Sequence, residues 1–87
     1  MNYISSEVFM VEKHEYDYSA LNARIKKKYG TVENFSRAMG LTKGAISMRM
    51  NNNSAWKQDD VYKAVHLLNI PERQVYSFFY TLKVHKV

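Results

Sequence analysis

With 87 residues and no cysteine, the chain has room for one small domain and must hold it by packing alone, which excludes disulfides, thiolate metal sites and cysteine nucleophiles. Hydrophobic residues at 46% and aromatics at 14% exclude a disordered chain, while 3 Gly and 1 Pro leave too few turn residues for a sandwich or barrel. The net charge of +5 is concentrated, since residues 24–57 set eight basic side chains against Glu33 alone whereas residues 1–23 are acidic, a distribution that attracts polyanions.

Residues 1–17 carry no helical stripe and are expected to form a flexible acidic arm, with Met10 an alternative start. Neither this segment nor any other has the apolar length of a membrane span or a secretory leader, so a soluble, untargeted, cytoplasmic protein is expected, with no membrane partner. Ser19 to Tyr29 places Leu21, Ile25 and Tyr29 on one stripe, with Ser19 positioned to cap and Gly30 to stop a first helix. Thr31 caps a second helix, striped by Val32, Phe35 and Met39 and ended at Gly40; Thr42 caps a third, with Ala45, Ile46 and Met50 inward. Asn51, Asn52 and Asn53 mark a loop. Trp56 reads as core, and Gln58 to Leu68 is a fourth helix with Val61, Ala64, Val65 and Leu68 inward and Asp59 and Asp60 in its first turn. Pro71 opens a fifth, carrying Val75, Phe78 and Phe79.

Thr81 to Val87 alternates apolar and polar residues at period two, as a short strand or extended arm would, and either pairs with a second copy or packs on its own domain. The expected organisation is an arm over 1–17, an all-α domain of about five short helices over 18–80, and a tail over 81–87 as a possible dimerisation strand.

The stretch from Thr31 to Asn51 carries the functional signal. Two short helices joined at a glycine need Ser36 small where they cross, Gly40 free to take positive φ, and Phe35, Met39, Leu41, Ile46 and Met50 apolar to lock the angle. From Leu21 to Phe79 the chain resembles the helix-turn-helix of the Cro-like and repressor proteins of temperate phages, the xenobiotic-response-element regulator class. The resemblance implies a lambda-repressor-like bundle in which Thr42 to Asn51 enters the major groove. It makes Lys43, Gly44, Ser47 and Met48 base contacts, and Thr31, Thr42, Arg49, Asn51, Asn52 and Lys57 phosphate contacts. Two positions depart from the family's pattern: Val32 replaces a common glutamine, and Arg49 stands where an inward apolar residue is usual. The Lys26-Lys27-Lys28 run fits either a phosphate contact or a cationic helix end.

An enzyme finds no support. His14, His66 and His85 share no metal-ligand spacing, no phosphate loop or nucleophile elbow occurs, and no cofactor is called for. The reading these features favour is a homodimeric regulator that binds a double-stranded operator and blocks a promoter. The alternative is an interaction module that modulates another repressor, with a second phage regulator as partner and the Met48/Met50 pair with the aromatic C-terminal helix suited to such a surface.

Overall fold

The computed structural model describes residues 15–83. Its chain order is α1 (Ser19–Tyr29), α2 (Val32–Met39), α3 (Lys43–Met50), α4 (Gln58–Leu68), a 3-10 turn (Glu72–Gln74) and α5 (Val75–Phe79). The expected all-α fold of five short helices is therefore the observed one. Each helix contributes a narrow buried stripe: Leu21 and Ile25 from α1, Phe35, Ser36 and Met39 from α2, Ile46 from α3, Val61, Ala64 and Leu68 from α4, Phe78 and Phe79 from α5. Helix α1 lies against α2, α4 and α5, and α2 lies against α3 and α4, so the stripes converge on one core.

Helix ends are settled by local chemistry. Thr31 and Thr42 accept from the backbone N–H of Asn34 and Ala45, each at 3.0 Å, as the sequence predicts. Gly40 closes α2 at φ 75°, a conformation that costs glycine no Cβ clash. Ser19 is a correction. It is the first helical residue and caps nothing; the Asp17 carboxylate accepts from its N–H at 2.9 Å instead. That bond, with help from the Ser19 hydroxyl, holds Asp17 below its ordinary carboxylate range.

Cations from neighbouring helices finish two carboxyl ends, whose last carbonyls lack helical partners. Lys63 Nζ donates to Met39 O at 3.0 Å, and Arg24 donates to Leu68 O at 2.8 Å while its guanidinium lies over the Phe78 ring. The buried Ser36 hydroxyl donates to Val32 O at 2.8 Å, so the small residue at the α2 face leaves no polar atom stranded.

The two ends of the described chain meet. Asp17 N donates to Thr81 O (2.7 Å) and Lys83 N to Glu15 O (2.9 Å), around a bridge between Tyr16 and Leu82. Residues 15–17 thus belong to the folded unit, and residues 81–83 pair with their own domain. Residues 1–14 and 84–87, which include most of the expected arm and the rest of the tail, lie outside the described residues. Trp56 packs edge-on against Phe79 (5.2 Å between centroids) and near Tyr18 (6.3 Å), as expected of a core residue, although its buried Nε1 finds no acceptor among the described residues.

Candidate interaction site

Two faces bear on function. The first is the outer side of α2 and α3. The turn between them is tightened by Gly40 N to Arg37 O (3.0 Å) and Leu41 N to Ser36 O (2.9 Å), which leaves α3 on the surface with only Ile46 fully buried. Lys43, Gly44 and Met48 are exposed and Ser47 is half-buried. Lys43 shares a shallow cleft with Lys26, Thr31 and Glu33, so the structure brings Thr31 and Lys43 together. Lys57 is exposed at the start of α4, and the Asn51 amide donates back to Ser47 O at 2.9 Å.

Arg49 and Asn52, expected to reach phosphates, are held by the fold. Arg49 Nε donates to Asp60 Oδ2 at 3.0 Å and its Nη1 to Ala45 O at 2.9 Å, in a pair whose side chains are only 12% and 16% exposed. The departure at position 49 is thereby explained: an arginine occupies an inward position because α4 supplies its counter-charge, while Met50 packs on the core beside it. Asn52 takes φ 64°, and its amide accepts from Tyr16 N (2.9 Å) and donates to Tyr16 O (3.0 Å). It clamps the N-terminal segment to the loop after α3.

The second face is the outer side of α4. Tyr62 and His66, one turn apart, stack edge to face with centroids 4.5 Å apart, and Tyr62 is 68% exposed. This pair forms a ridge between two depressions. One of about 570 Å³ is lined by Val65, Ile70, Glu72 and Val75, and the other by Asp59, Lys63 and Leu67. Sequence reasoning passed over these residues because it read α4 only for its inward stripe. The signal was available: an aromatic at position 62 and an imidazole four residues later stand on the face that the stripe leaves to solvent. Among the described residues no group of three acidic or imidazole side chains is placed to hold a metal, and no helix is long and apolar enough to cross a membrane.

The family model for a "Protein of unknown function (DUF739)" matches residues 14–82. Among solved structures, the solution structure of the modulator of repression (MOR) of the temperate bacteriophage TP901-1 from Lactococcus lactis is similar. It is 41% identical, with a TM-score of 0.69, over 80% of this chain and 95% of that one. No curated protein matches the chain.

This likeness corrects the reading of the chain as an operator-binding, promoter-blocking repressor. The spacing of Phe35, Ser36, Gly40, Leu41 and Ile46 specifies how two helices pack, and one packing serves many tasks. A solved relative of similar fold and 41% sequence identity is a modulator of repression.

Proposed function

The chain belongs to the DUF739 family, and from that premise we propose that it is a phage-type regulator that modulates repression by binding another regulator, a DNA-binding repressor, through a protein surface. The observation that carries this reading is the 41% identity to the TP901-1 modulator of repression across 95% of that chain, because the likeness extends over nearly the whole of that small domain and not over the helix pair alone.

The charge distribution supports it. Three of the eight cations of the central basic block have partners within the fold: Arg24 finishes α4, Arg49 pairs with Asp60, and Arg37 bonds the Asn34 amide at 3.0 Å beside Glu33. The net charge therefore overstates how many cations are available to phosphates. Modulation follows by linkage, since a partner that binds one state of the repressor more tightly shifts its occupancy of DNA.

The direct test mixes the purified protein with the DNA-binding repressor of the same genetic element and follows both by sedimentation velocity. A new species heavier than either alone is expected. Two independent boundaries at micromolar concentrations would overturn the proposal.

A further inference from the structure

Resting on that reading, we infer that the chain receives its partner on the α4 face, with the Tyr62–His66 ridge inserted against a helix that carries both apolar and basic side chains. Of the six described carboxylates, four have partners. Glu15 meets Lys83, Asp17 meets Ser19 N, Glu33 meets Arg37, and Asp60 meets Arg49 and Lys57 N. The remaining two, Asp59 and Glu72, have no hydrogen-bonding or ionic partner among the described residues, and they stand on opposite sides of the ridge, one in each depression. In a chain of net charge +5, this is where free negative charge accompanies exposed aromatic surface.

The apolar floor is contributed by Val65, Ile70 and Val75 on one side and Leu67 on the other. Lys63, which also lines the second depression, keeps its positive charge but directs its Nζ to Met39 O at 3.0 Å and makes no ion pair with Asp59. Arg73 follows Glu72 in the chain but lines neither depression. An aromatic ridge flanked by carboxylates suits a helix whose apolar residues straddle Tyr62 while its lysines or arginines reach Asp59 and Glu72, or lie over the tyrosine ring. Charge of this sign would repel an acidic partner and speeds encounter with a basic one. An exposed tyrosine that loses all its water on binding is a common energetic centre of an interface.

The experiment is isothermal titration of the full-length DNA-binding repressor of the same genetic element, with the wild type, Tyr62→Ala, the pair Asp59→Lys/Glu72→Lys, and Asn53→Ala in the loop after α3 as a control. All substituted side chains are exposed, and circular dichroism checks that each variant folds. We expect at least about a tenfold loss of affinity for Tyr62→Ala and a further loss for the charge reversal. The Asn53→Ala variant is expected to match the wild type, and added salt is expected to weaken wild-type binding more than binding by Asp59→Lys/Glu72→Lys. Wild-type affinity in Tyr62→Ala and in the charge reversal, or a loss confined to Asn53→Ala, would overturn the α4 assignment while leaving the proposed function intact. No binding by the wild type would overturn both.

Discussion

Asn52 shows how much one side chain carries in a domain this small. It adopts a left-handed backbone that non-glycine residues rarely take, and its amide satisfies both backbone groups of Tyr16 across 36 residues of chain. Asn52→Ala removes both bonds and keeps the unfavourable φ, so urea denaturation should show a loss of about 2 kcal/mol. Asn52→Gly relieves the backbone while losing the same bonds and should cost less. Tyr18 makes a pH-dependent contribution. Burial, and secondarily the neighbouring Tyr16 and Tyr80, raise its phenol above the ordinary value, which is about 10. The unfolded chain therefore loses that proton at lower pH than the folded one. Stability is fully present below the unfolded value and declines as the pH rises through the folded value. Denaturation midpoints measured from pH 8 to 11 should fall more steeply for the wild type than for Tyr18→Phe.

At the scale of elements, the decisive relation is between α3 and α4. The Arg49–Asp60 pair is nearly enclosed, so removing one partner strands the other. Arg49→Met should lose about 2 kcal/mol, and the Arg49→Met/Asp60→Leu double variant less than the two single losses added. The two glycines of this region should respond in opposite directions. Gly40→Ala forces a Cβ into φ 75° and should cost about 1 kcal/mol. Gly44 lies inside α3 with its nearest neighbour, Thr42 Oγ1, 4.0 Å from a built Cβ. Gly44→Ala should therefore stabilise by about 0.5–1 kcal/mol. Thermal melts of the two variants check both signs.

These elements were legible in the sequence to the extent that their determinants are local. Thr31, Thr42 and Gly40 act within one turn of chain, and the stripes of α1, α2 and α4 repeat at helical spacing, so the helix boundaries follow from neighbours alone. Arg24 on Leu68 O, Asn52 on Tyr16 and Arg49 on Asp60 join residues 44, 36 and 11 positions apart, and no local pattern announces them. The same blindness misdirected the functional reading. Eight cations against Glu33 look like a surface for phosphates until the fold shows that Arg49 and Arg24 face inward to carbonyls and a carboxylate. Ser19, read as a cap, lost that role to Asp17 because the helix begins one residue earlier than a serine cap allows.

For the molecule as a whole, the helix pair α2–α3 is a packing solution, and its presence does not decide between nucleic acid and protein as the ligand. What separates the two is where unspent charge and exposed apolar surface lie. Among the described residues the cations without partners are Lys26, Lys27, Lys43, Lys57 and Arg73, with Lys26 and Lys43 in one cleft, whereas the Tyr62–His66 ridge of α4 stands between the free carboxylates of Asp59 and Glu72. A protein that binds a repressor in this way changes occupancy of DNA without owning a binding site on it, and its effect should saturate with repressor concentration instead of operator concentration. The measurement that tests this most directly is fluorescence anisotropy of a labelled operator from the chain's own genomic region, titrated with the repressor in the presence and absence of the protein, and with the protein alone. The protein alone should bind operator and scrambled duplex equally and only weakly, while shifting the repressor's binding curve at stoichiometric ratios. Tight, sequence-specific binding by the protein alone, with no displacement of the repressor curve, would contradict it.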